Sequence, residues 1–171
     1  MDGTMQVSPP DNLRSGGEAV SPVRLWLRLL SCTMLIERRL AGSLRTRFGT
    51  TLARFDLLAQ LAHARGGEQA GLTMSELSRR LMVSNGNVTG LVSRLVDEGL
   101  IKRRTSPLDR RAQLVCLTPK GEQALAAMIP EHHAWLAELF DGVPPAERER
   151  LYELIGHLKG AVEQAPRGGS E

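Results

Sequence analysis

Residues Thr73 to Gly121 read TMSELSRRLMVSNGNVTGLVSRLVDEGLIKRRTSPLDRRAQLVCLTPKG. Thr73 followed three positions later by Glu76 has the spacing of a capping box, in which the hydroxyl accepts from the third helical amide and the carboxylate reaches back. A helix is therefore expected from Thr73, with Met74, Leu77 and Leu81 on its apolar side and Arg79 and Arg80 toward solvent. Met82, Val83 and Ser84 interrupt it, and the Ser84 oxygen is suited to accept a first-turn amide of a second helix. Val88, Leu91, Val92 and Leu95 recur there at spacings of three and four, which leaves Asn85, Asn87, Thr89, Ser93 and Arg94 mostly on the other face. Gly86 and Gly90 each weaken a helix by roughly 1 kcal/mol relative to alanine. Their expected use is close approach of a partner.

Beyond this helix the pattern changes. Gly99 stands where a left-handed helix terminus is wanted, Leu100 to Arg104 follows as a short strand, and Ala112 to Leu117 returns beside it. Thr105 to Arg111 between them is rich in turn residues and ends on two arginines. Thr118 and Pro119 supply a cap and a first-turn proline for another helix. Two capped helices, a basic hairpin and a third helix make a winged helix-turn-helix, for which double-stranded DNA is the leading partner. Asparagine on the polar face of the second helix can read adenine through two bonds, and serine or threonine can bond bases or phosphates. Arg110 and Arg111 at the hairpin tip can enter the minor groove, while Asp109 is better placed to hold a neighbouring guanidinium. Taken alone, the second helix reads equally well as an ordinary amphipathic helix with a small-residue solvent face.

Charge agrees with the DNA reading. The 171-residue chain carries a net charge of only +3, but Arg79 to Arg111 holds eight Lys or Arg against three acids. Gly121 to Glu171 holds four against nine. A basic lobe that displaces counterions beside an acidic remainder kept from DNA accounts for the split, although a solvated face explains the acids equally.

The stretches Ser84 to Ile101 and Asp109 to Gly121 resemble the recognition helix and wing of MarR-type transcription regulators. The resemblance implies a homodimer reading a palindromic operator, and a small molecule that changes lobe spacing and releases DNA. The family's wing signature, Asp-x-Arg, falls on Asp109 and Arg111 with Arg110 between them. The DNA-binding candidates are thus Ser84, Asn85, Asn87, Thr89, Ser93, Arg94, Asp109, Arg110 and Arg111. The Asn-Gly-Asn opening of the helix departs from the Ser, Thr or Pro of many relatives, so base preference does not transfer.

Outside the lobe the chain is expected to be helical. Ser21 and Pro22 open a helix reaching about Arg47, on the order of 37 Å long at 1.5 Å per residue, too long for one small lobe. A second helix over Leu52, Phe55, Leu58 and Leu61 closes at Gly66-Gly67; later ones run from Thr118 toward Phe140 and from Ala146 to about Glu163. The fold class is therefore mainly α with a small β-wing. Its expected parts are a flexible tail 1–20, a helical dimerisation region 21–48 and 119–164, a DNA-binding lobe 51–118 and a tail 165–171. Long apolar stripes at both ends call for a partner surface, and the same pair from a second copy supplies it.

Effector chemistry is less sharply written. Where the family pocket would lie, Trp26, Arg38, Arg39, Arg45, Arg47, Arg54, His132, His133 and Trp135 are candidates: arginines to clamp a carboxylate or phosphate, aromatic rings to sandwich another. Each also reads as core aromatic or solvated charge. Thr50 to Leu61 and Leu81 to Gly90 are similar to MarR-type regulators of hydroxycinnamate catabolism, which implies an aryl-CoA thioester as effector, or alternatively a free phenolic acid. Redox sensing through Cys32, with Arg28 one turn earlier, is a rival; a small buried hydrophobe is the expected role of Cys32, and Cys116 in its apolar strand is expected to be inert. Four histidines show no ligand spacing, so neither a metal nor a cofactor is expected. No nucleotide loop, metalloprotease pair or serine elbow marks an enzyme. A winged helix serving as a protein-interaction module without DNA binding is the other class. With two distant cysteines, no roughly 20-residue apolar run and no apolar core near Met1, the chain is expected to be reduced, cytoplasmic and free of membrane contact.

Overall fold

Local caps set most of the element boundaries in the computed structural model, which describes residues 20–64, 71–82 and 84–165. The elements are α1 Pro22–Phe48, α2 Leu52–His63, α3 Met74–Leu81, α4 Asn85–Asp97, β1 Ile101–Thr105, β2 Gln113–Leu117, α5 Pro119–Phe140 and α6 Pro145–Gln164. The chain divides into two compact units between Leu35 and Ile36, with α1 running across the division. The two expected tails lie almost wholly outside the described residues, as does the Gly66-Gly67 helix close.

Thr73 forms the complete capping box: Glu76 N–H donates to its hydroxyl at 3.2 Å and Thr73 N–H to the Glu76 carboxylate at 2.8 Å. The Thr73 N–H, and secondly the Thr73 hydroxyl, which also donates to that carboxylate at 2.8 Å, hold the Glu76 carboxyl below its ordinary range. Thr51 and Thr118 cap α2 and α5 through the hydroxyl alone, which accepts from Arg54 N–H and Gly121 N–H. α2 differs from a one-sided helix because Leu57 is buried along with Phe55, Leu58 and Leu61. It is covered by α5, α3 and β2 together.

β1 and β2 pair antiparallel, Ile101 opposite Leu117 and Thr105 opposite Gln113. The first strand begins one residue later than its sequence pattern indicates because Leu100 is consumed by the end of α4. Ala112 is likewise spent on the turn, so β2 begins at Gln113. A third, single-residue strand contact was not legible: Leu72 and Val115 exchange both backbone bonds, at 3.0 and 2.8 Å. The core joins Leu44 of α1, the buried side of α2, Leu77, the Val88, Val92 and Leu95 stripe of α4, the inner face of the hairpin, and Leu125 and Met128 of α5. α6 buries no residue at all.

Candidate nucleic-acid interface

The C-terminal end of α4 is fixed from several sides. Gly99 at φ +70° donates to Val96 O at 2.9 Å and Leu100 N–H to Leu95 O at 3.0 Å, the paired bonds of a Schellman terminus. From α5, Thr118 Oγ1 donates to Gly99 O at 2.7 Å and Lys120 Nζ to Glu98 O at 2.8 Å. Arg54 of α2 forms an ion pair with the Glu98 carboxylate. α4 is thereby tied to the helices behind it.

Its other side is open. Asn87, Thr89, Ser93 and Arg94 are exposed; the side chain of Asn85 lies outside the described residues. Among the described residues a methyl at Gly86 would meet nothing within 4 Å, and one at Gly90 only the Arg94 guanidinium at 4.0 Å. The two glycines thus have no packing role among the described residues. Ser84 has the extended backbone of an N-cap, but the expected side-chain cap bond is absent; only its carbonyl engages the helix, accepting Val88 N–H at 3.2 Å. An exposed hydroxyl is satisfied by water and gains little from the cap.

The wing is organised around a buried serine that sequence reasoning missed. Ser106 is 5% exposed, its N–H donates to Ala112 O at 2.8 Å, and its hydroxyl accepts from Leu108 and Asp109 N–H at 3.3 and 3.4 Å. Asp109 corrects an expectation: its carboxylate accepts the backbone N–H of Arg111 at 2.9 Å instead of holding a guanidinium. A two-residue reach to the backbone costs less side-chain ordering than gripping a long, exposed arginine. Arg110 and Arg111 stand exposed at the tip, and Arg79, Arg80, Lys102 and Arg103 are exposed on the same lobe.

The candidate effector residues are less united. Trp26 is 59% exposed on the first half of α1, and Arg38, Arg39 and Arg45 are exposed further along it. Arg47 pairs with Glu131 at 2.7 Å, and Arg54 is engaged by Glu98 with its Nε buried and without a partner. His132 stacks on Phe55 with centroids 4.4 Å apart, exposed His133 lies beside it, and Trp135 meets Phe48 edge-on at 6.3 Å. Burial first, then His133, lowers the His132 pKa. None of the nine lines the cavity of about 260 Å³ that Leu61, Gly71, Lys102, Arg104, Cys116, Leu117 and Glu122 enclose. Cys32 is exposed, not the buried small hydrophobe its helix position indicated, because the face that carries it is uncovered in the single chain. Cys116 is half-buried, with Arg104 Nε 3.2 Å from its sulfur. Among the described residues no cluster of three His, Cys, Asp or Glu is placed to hold a metal, and no helix is long and apolar enough to cross a membrane.

Asp56 is a titratable group the sequence reading passed over. Burial, and secondly Glu37, push its carboxyl from 3.8 to about 6. A folded pKa above the unfolded one means the fold favours the protonated acid, so the penalty for ionising it develops from about pH 4 and is complete above about pH 6. Asp56→Asn is accordingly expected to melt above wild type at about pH 8, with the gap closing by about pH 4. A gap independent of pH would remove Asp56 as its source.

A polar helix clasped to a scaffold beside a basic hairpin tip defines a winged helix-turn-helix DNA-binding protein. Residues 48–112 match the model of the MarR family. An uncharacterized HTH-type transcriptional regulator of Bacillus cereus is 33% identical over 132 residues, 77% of this chain and 84% of that protein. The chain belongs to the MarR family and is a DNA-binding transcription regulator, not an enzyme. A MarR family regulator from Streptomyces coelicolor, solved in complex with DNA, shares the fold with a TM-score of 0.71 at 22% identity, over 88% of this chain and 94% of that one. CouR from Rhodococcus jostii, solved bound to p-coumaroyl-CoA, shares it with a TM-score of 0.67 at 17% identity, over 78% and 90%.

Proposed function

We propose that the protein is a homodimeric repressor in which each protomer sets one α4 in a major groove and one wing in the adjacent minor groove of a palindromic operator, and which a small aromatic effector releases. The carrying observation is the segregation of its surface. Polar Asn87, Ser93 and Arg94 and the cationic tip Arg110-Arg111 lie on the winged lobe, while Leu25, Leu30 and Met34 of α1 and Leu151, Leu154 and Ile155 of α6 are exposed. DNA suits the first surface and a second copy the other. That apolar distribution also disfavours a docking module that would use the winged lobe.

Arg111→Ala is expected to weaken duplex binding and reduce the salt slope by about one unit; an unchanged slope would remove its role at phosphate or in the minor groove. Asn87→Ala should instead alter which bases are tolerated, and a uniform loss over all sequences would argue against base reading.

An aryl-CoA thioester is the effector we favour, supported by exposed Arg38, Arg39 and Arg45 for phosphate groups and by the p-coumaroyl-CoA bound to CouR. Titrating the DNA complex with p-coumaroyl-CoA and with free p-coumaric acid separates the thioester from the phenolic acid. Release by neither would remove the aromatic assignment.

A further inference from the structure

Exposed large apolar side chains fall into two groups among the described residues. Most lie on α1 and α6, with one each just before α1 and on α5; inside the winged lobe there are two, Met82 at 93% exposure and Leu108 at 65%. Met82 immediately follows α3 in the turn leading to α4, and Leu108 lies at the wing tip between Pro107 and the Asp109-Arg110-Arg111 run.

Neither helps the fold where it stands. Met82 holds φ +53°, a left-handed conformation that glycine adopts without strain, and its side chain gains no burial to offset this. Leu108 has its backbone N–H tied to the Ser106 hydroxyl at 3.3 Å, so the tip is held in place while the side chain is left to water.

We infer that Met82 and Leu108 are the apolar contacts of the DNA interface, Met82 against a thymine methyl at the edge of the α4 footprint and Leu108 against the sugar walls of the minor groove. The inference rests on the reading of α4 and the wing as the DNA-facing elements. The major groove presents the thymine C5 methyl as an apolar feature, and proteins place apolar side chains in minor grooves beside arginine. Arg110 and Arg111 follow Leu108 closely enough to bring it to the same groove. Because neither side chain carries charge, the affinity each adds is independent of counterion release.

The test uses a duplex selected by the wild-type protein from a random pool. Wild type, Met82→Gly and Leu108→Ser are measured on it across a range of salt, and again on the same duplex with deoxyuridine replacing thymidine. Each variant is expected to lose about tenfold in affinity, as removal of one buried apolar side chain implies, with the wild-type salt slope retained. Arg111→Ala, in contrast, lowers the slope. Deoxyuridine should weaken wild type more than Met82→Gly, and the melting temperature of Met82→Gly should not fall. Unchanged affinity in both variants, or a reduced slope, would overturn the apolar contacts while leaving the DNA reading intact. A wild-type protein that selects no duplex would overturn both.

Discussion

Gly121→Ala is expected to lower folding stability by about 3 kcal/mol, the upper end of what overpacking a core costs. A Cβ at this third residue of α5 would overlap Leu100 O and lie 2.9 Å from Leu100 C and 3.2 Å from Leu117 Cδ2. The first two are backbone, and Leu100 O already accepts Thr118 N–H at 3.1 Å, so no rotamer change relieves the overlap. Either α5 lifts from the end of α4 or the Schellman terminus opens. For a chain of this size the melting temperature should fall by about 10 °C, at a slope of about 2–4 °C per kcal/mol. DNA affinity should fall as well, although Gly121 is buried behind the reading face. A melting temperature equal to wild type would show that α5 can slide without cost.

Leu154→Glu combined with Leu158→Glu is expected to give a folded monomer whose operator affinity is down by about a hundredfold or more. These residues are 54% and 37% exposed on a helix that buries nothing, so the chain's own core does not depend on them. Glutamate keeps the helix, because its propensity is close to that of leucine. In a C2 interface each change is counted twice, and burying the 54% and 37% still exposed on the two leucines of each copy, at roughly 1.5–3 kcal/mol for a whole side chain, amounts to about 3–5 kcal/mol. Separating the lobes then converts a bivalent grip into two independent ones, which is worth 10²–10⁴-fold on the order expected for linked sites. Sedimentation equilibrium and duplex titration read the two effects separately. A dimer that survives both changes would place the interface away from α6.

Elements whose signals are local were legible. The Thr73 to Glu76 box, Thr118-Pro119 and Gly99 act within one helical turn and the Val88 to Leu95 stripe within two; each is found, with Leu91 of the stripe only partly buried. Two misreadings came where a residue had several satisfactory partners, and a third, Cys32, where a helix face is uncovered in the single chain. Ser84 keeps a cap's backbone without its bond, and Asp109 turned to a backbone amide two residues away. What stayed hidden depends on long-range meeting: Leu72 with Val115, Arg54 with Glu98 across 44 positions, and Gly121 against Leu100. Ser106, a polar residue in a basic turn, gave no hint of burial because two turn amides, not an apolar neighbour, are its reason for being inside. The candidate effector residues were recognisable only as residue types, and their pairing with Glu131, Phe48 and Phe55 follows from α2 meeting α5 and from the end of α1.

The seating of α4 makes it a lever that moves with the core: its polar ties to other elements gather at its C-terminal end, while Val88, Val92 and Leu95 bed its length in the core. Thirteen residues at 1.5 Å each give an arm of about 20 Å from the ties at residues 98–100 to the opening turn near Asn87. A tilt of about 5° of α4 with the core beneath it carries that far end through nearly 2 Å, whereas a hydrogen bond to a base edge tolerates only a few tenths of an ångström. On the proposed reading, an effector that repacks this core need never approach the DNA surface.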